Sequence, residues 1–157
     1  MSEWKSLLDE AVRRGDVSSE AGANIDLYLQ GANSPVGAAA IIELLEAGEW
    51  QEIDDRVFKT MAFGTGGLRG RTIGKIVTRA ERGVGGPLDR PQHPCVGTAS
   101  MNFFNLKRAM IGLVTYVKKT FAGEGRPSLV IGHDTRHFSR DFAETCAEVA
   151  INLGCDP

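Results

Sequence analysis

The sequence predicts an α/β chain: a helical N-terminal extension over residues 1–60, then a partial mixed sheet with crossover helices over residues 61–157. Three observations predict it. Apolar residues recur at helical spacing through the first 60 positions. The composition turns glycine- and proline-rich after Met61. Further on, the apolar run Ser128-Leu129-Val130-Ile131 lies between two amphipathic helical segments, which is the order of a crossover connection.

The elements follow in chain order. Ser2 is placed to cap a first helix with Trp4, Leu7, Leu8, Ala11 and Val12 on one face, ended by Gly15. A second helix is predicted over Ser19 to Gln30, with Ala23, Ile25, Leu27 and Leu29. Ser34-Pro35 is a start signal, a cap followed by Pro at the first helical position, for an apolar helix over Ala38 to Leu45 closed by Gly48. A short fourth helix is expected from Trp50 to Phe58. Thr72 to Thr78 reads as a strand and Gly83 to Pro94 as a long loop. Phe103, Leu106, Met110, Leu113, Val114 and Val117 then define a helix reaching about Phe121. Gly123 to Pro127 connects it to the buried-strand candidate Ser128 to Ile131. Ser139 is the expected cap of a last helix bearing Phe142, Cys146, Val149 and Leu153, ended by Gly154.

The 157 residues suit one ordinary domain, and 42% hydrophobic with 24% charged residues is a globular composition. The formal net charge is −2, which offers no electrostatic footprint for nucleic acid and no polybasic membrane patch. Any anion site is therefore local. Cys95, Cys146 and Cys155 are an odd set without C-x-x-C spacing, so reduced thiols are expected. The start at Met1 shows no apolar core of a signal peptide and no long apolar run occurs, so a cytoplasmic protein is expected.

Two segments carry chemistry. In Phe63-Gly64-Thr65-Gly66-Gly67-Leu68-Arg69-Gly70 the glycines let backbone approach a ligand, and successive N–H groups can form an anion nest. Arg69 adds a planar fork that matches phosphate. A plain surface turn explains the same glycines. The segment is neither a dinucleotide fingerprint, where Arg69 would have to be Gly, nor a P-loop, where Ile76 after Gly74-Lys75 would have to be Ser or Thr. The second segment, Gly132-His133-Asp134-Thr135-Arg136, follows the apolar run, where ligands bind in open α/β sheets. Either Asp134 and Arg136 pair with each other, or Arg136 faces a phosphate. His133 and His137 are four apart but lack the H-E-x-x-H glutamate and a third ligand, so no metal site is assigned to this chain.

The ordered pair of segments resembles the α-D-phosphohexomutase (phosphoglucomutase/phosphomannomutase) family. Phe63 to Gly70 is similar to its F-G-T-x-G-x-R-G signature, and Gly132 to Arg136 to its G-x-D-x-R strand end. The resemblance covers residues 60–157, and residues 61–157 read as an incomplete first domain of the family. It implies intramolecular phosphoryl transfer on a hexose phosphate, glucose 1-phosphate and glucose 6-phosphate first among them, through an enzyme phosphoserine. It implies Mg2+ and glucose 1,6-bisphosphate as cofactors. Arg69 takes the position of the family arginine that contacts phosphosugar or phosphoserine. Thr65, Gly66 and Gly67 shape the loop beside it, and Asp134 and Arg136 line or buttress the cleft.

The resemblance also implies parts not found in this sequence. The family's serine loop, metal loop and sugar loop all fall downstream, so the chain reads as an N-terminal piece, inactive alone, with its metal ligands elsewhere. Thr98-Ala99-Ser100-Met101-Asn102 shares letters with the serine loop but lies upstream of Gly132 to Arg136 and lacks its His and Pro. Ser100 is the one nucleophile candidate in the chain, against a simpler role for Ser100 or Asn102 as a helix cap. The alternative to an enzyme fragment is a noncatalytic phosphosugar-binding or interaction module. The oligomeric state is not legible.

Overall fold

The computed structural model describes residues 3–64 and 66–157. Among the described residues there are seven helices: α1 (Glu3–Arg14), α2 (Ser19–Ala32), α3 (Pro35–Glu46), α4 (Trp50–Val57), α5 (Arg79–Arg82), α6 (Phe103–Thr120) and α7 (Ser139–Asn152). They fall into two compact units, Met1–Asn102 and Phe103–Pro157.

In the first unit, cap chemistry sets the helix starts. Ser18 rather than Ser19 caps α2, its Oγ accepting from the Ala21 N–H at 3.1 Å. Ser34 caps α3, its Oγ accepting from Gly37 N–H at 3.3 Å, with Pro35 at the first turn as read from sequence. The cap assigned to Ser2 lies outside the described residues. The helices α1 to α4 bury Leu8, Ala11, Ile25, Ile41, Leu44, Ile53 and Val57 against one another, and α3 also packs on α5. A buried Leu or Ile of this kind contributes about 1.5–3 kcal/mol by leaving water.

The predicted strand Thr72 to Thr78 does not form. Its polar groups are committed elsewhere: Thr72 O accepts from Cys95 N–H at 2.9 Å, Ile76 O accepts from Arg56 Nη2 at 2.6 Å, and Thr78 caps α5. The long loop after Gly83 is present, and its His93 N–H and Gln92 N–H return to the carbonyls of Glu81 and Arg82.

In the second unit α6 packs on α7. Met110, Val114, Ala150 and Cys155 form the core, with Leu129, Ile131, Cys146, Val149 and Leu153 against it. The N-cap position of α7 falls on Phe138, buried and left-handed at φ 66°; the Ser139 Oγ instead accepts from the Asp134 N–H at 3.1 Å.

The expected partial mixed sheet is corrected here: among the described residues no sheet forms. Pairing is limited to two isolated bridges, Gly64 with Gly67 and Ser128 with Asp156. The run Ser128 to Ile131 alternates rather than being buried on both faces. Leu129 and Ile131 turn to the core while Val130 is fully exposed. Only Ser128 finds a parallel partner, where Leu129 N–H donates to Asp156 O and Asp156 N–H donates to Pro127 O, both at 2.8 Å. One rung is not a ladder.

Candidate functional site

The glycine segment of the first unit is a tight, exposed turn. Gly64 and Gly67 exchange hydrogen bonds, Gly64 N–H to Gly67 O at 3.1 Å and Gly67 N–H to Gly64 O at 3.3 Å. Gly66 at φ +80° and Gly67 at φ +139° take conformations that disfavour a side chain, and beyond its chain neighbours neither has an atom within 4 Å of where a Cβ would stand. Thr65, expected to shape the loop, lies outside the described residues. Phe63 at its entry is 79% exposed.

Arg69 is exposed, and among the described residues nothing pairs with it. Its neighbours differ. A Cβ on Gly70 would stand 2.8 Å from Ala99 O and 2.9 Å from Met101 N, so the chain after Arg69 lies directly on residues 99–101. The Arg71 carbonyl accepts from Met101 N–H at 2.8 Å. Arg71 also reaches Glu52 Oε2 at 3.3 Å from Nη1. The turn therefore has an anchored base and a free cationic side chain, a suitable arrangement for an anion.

The Thr98-Ala99-Ser100 segment is thus next to the glycine loop. Ser100 is only 1% exposed, and its Oγ is hydrogen-bonded to Cys95 Sγ at 3.3 Å. Burial pushes the Cys95 thiol up, outweighing the Arg56 charge and the Ser100 hydrogen bond that pull it down. Asn102 Nδ2 donates to Cys95 O at 3.0 Å and Gly97 O at 2.9 Å, which folds this segment into a closed loop.

Beneath it lies a group of charges that the sequence reading passed over. Arg56, with no exposed surface, donates from Nε to Glu52 Oε1 at 2.8 Å, from Nη1 to Glu81 Oε1 at 2.6 Å and from Nη2 to Ile76 O at 2.6 Å. Two signals were available: Glu52 and Arg56 are four apart on a helix, and Thr78-x-x-Glu81 is a capping box.

In the second unit Asp134 and Arg136 pair with each other, the first of the two alternatives. Arg136 Nε donates to Asp134 Oδ2 at 2.7 Å and Arg136 N–H to Asp134 Oδ1 at 3.0 Å. The Arg136 backbone bond, then Ser139, then the guanidinium hold the Asp134 carboxyl below the usual range. Arg136 is still 87% exposed on its side chain. Among the described residues no three His, Cys, Asp or Glu side chains converge as metal ligands, and His133 and His137 gain no third partner.

Comparison with known proteins gives a family match that takes in Gly132 to Arg136 and not the glycine turn. Residues 95–157 match the family model described as phosphoglucomutase/phosphomannomutase, alpha/beta/alpha domain I. The chain is 26% identical to the phosphoribomutase of Saccharomyces cerevisiae over 138 residues, 88% of this chain and 18% of that protein. It is 28% identical to a probable phosphoribomutase of Schizosaccharomyces pombe over 114 residues, 73% of this chain and 16% of that protein. It thus spans less than a fifth of the length of the curated relatives it matches. No solved structure matches it. The chain is thus similar to phosphoglucomutase/phosphomannomutase domain I over residues 95–157 and to two phosphoribomutases over most of its length.

Proposed function

We propose that this chain supplies a phosphate-contacting loop to a phosphosugar mutase, with Arg69 as the residue that holds the phosphate of a sugar phosphate or of an enzyme phosphoserine. The observation that carries the reading is an exposed Arg69 without a partner among the described residues, set between a glycine turn and an anchored base. Gly66 and Gly67 let the backbone of the turn approach a ligand closely, with the Gly64 and Gly67 N–H groups bonded to each other's carbonyls across it. Asp134 and Arg136 are a self-paired loop brace whose exposed guanidinium still has donors to spare.

The reaction is phosphoryl transfer between hydroxyls of one sugar. Positioning and charge neutralisation supply most of its catalysis. Mg2+ and glucose 1,6-bisphosphate belong to the reading through the family; since no metal-ligand cluster is found among the described residues, no step here runs through the ion. Ser100 is not given the nucleophile's role, because a buried hydroxyl bonded to a buried thiol cannot reach a phosphorus atom.

Glucose 1-phosphate and glucose 6-phosphate are the substrates that the motif resemblance suggests. A second reading, ribose phosphate, is favoured by the names of both relatives. Calorimetric titration of the purified chain with glucose 6-phosphate and ribose 5-phosphate tests both. Arg69→Ala should remove one charge-assisted contact, about 1.5–3 kcal/mol, and weaken binding roughly tenfold or more. Equal affinity of wild type and variant would sink the role of Arg69. Tighter binding of the pentose phosphate would select the second reading.

A further inference from the structure

We propose that Glu81 is a positioning residue for the Arg69 loop, acting through Arg56 and the backbone of residues 95–101; the proposal rests on the phosphosugar reading of that loop. A four-residue helix such as α5 needs only its capping box, in which the Glu81 carboxylate accepts from Thr78 N–H at 3.0 Å. This carboxylate does more. It also accepts from Thr78 Oγ1 at 2.9 Å, from Arg56 Nη1 at 2.6 Å, and from Val96 N–H at 2.8 Å. The last two bonds tie it to α4 and to the segment beneath the glycine loop.

Arg56 continues the chain of contacts. Its carbonyl accepts from Ala99 N–H at 2.8 Å, and Gly97 at φ +140° packs so closely on that carbonyl that a side chain has no room. Val96 is thereby held by the Glu81 carboxylate, and Ala99 by the backbone carbonyl of Arg56, the residue whose side chain pairs with Glu81. Residues 99–101 in turn receive Gly70 and Arg71. Arg69 thus stands one residue from a backbone contact that traces back to Glu81. A buried ion pair is weak as a source of stability, since an apolar replacement is often as stable. Its value here is that it fixes one backbone position against another, which preorganises an exposed side chain that would otherwise lose freedom on binding.

The test is a double-mutant cycle on the whole chain, with ribose 5-phosphate as probe and affinity read by calorimetry on protein shown to be folded by circular dichroism. Glu81→Gln should weaken binding roughly tenfold in the wild-type background and cause no further loss in Arg69→Ala, since both act through one side chain. Folded Glu81→Gln with wild-type affinity, or an equal loss in both backgrounds, overturns the proposal. If Arg69→Ala alone leaves affinity unchanged, the phosphosugar reading fails first and takes the positioning role with it. Should Glu81→Gln fail to fold, Thr78→Ala decides, because it removes one donor to the carboxylate, with the cap acceptor of Glu81 N–H, and leaves both charges in place. It is expected to weaken binding about threefold, and unchanged affinity overturns the proposal.

Discussion

Arg69 and Arg136 both close a glycine-led motif, yet their surroundings differ. Arg136 is held by Asp134 two residues away, a local pairing that any short loop can make. Arg69 has no such neighbour among the described residues. Asp134 titrates below its ordinary value, so the brace it forms is fully present above the ordinary carboxylate pKa and is lost as pH falls through the lower folded value. Protection of the Arg136 amide, followed by NMR, should hold at pH 5 and vanish only below the usual Asp value of about 3.9. Loss at or above that value would contradict the pairing. The cysteines give a second residue-scale prediction. Cys95 and Cys155 are buried, and Cys146 is partly exposed, so a thiol reagent should label Cys146 first and the other two only on unfolding. Fast labelling of Cys95 in folded protein would show that the loop around Ser100 is open.

Helices were readable because their signals are local. Ser34-Pro35 announces α3 in two letters, and Ser34→Ala should cost about 1 kcal/mol in urea denaturation. The sheet was misread because pairing is not local. Four apolar residues at 128–131 look the same whether buried on both faces or lining one face, and only the position of Asp156 shows that a single rung forms. Thr72 to Thr78 failed as a strand for a related reason: Arg56, twenty residues from Ile76, takes one of its carbonyls. The site divides the same way. The glycine turn was legible because special backbone geometry selects glycine, whereas the buried Glu81–Arg56 pair joins residues 25 apart and emerges only from the fold. Among the core positions of the first unit, Ile41 at 1% exposure is a test of helix packing. Ile41→Ala should destabilise the chain by about 2–5 kcal/mol, and a change under 1 kcal/mol would mean that α3 does not pack on its neighbouring helices as this core requires.

Over the whole molecule, the two units carry separate halves of the motif pair, the glycine loop in one and the Asp134–Arg136 brace in the other. The matched domain-I segment, residues 95–157, begins in the first unit and takes in the second. On the proposed reading this chain binds a phosphate and is inactive alone: an assay of the purified chain with glucose 1-phosphate or ribose 1-phosphate should show no isomer formed, and measurable conversion would return Ser100 to consideration. The most direct test of the central claim is an NMR titration of the labelled chain with a sugar phosphate. Shifts concentrated on the amides of Gly64, Gly66 and Gly67 and on the Arg69 Nε–H are the predicted result. Shifts confined to other residues, or none at all at millimolar ligand, would contradict a phosphate site on the glycine loop.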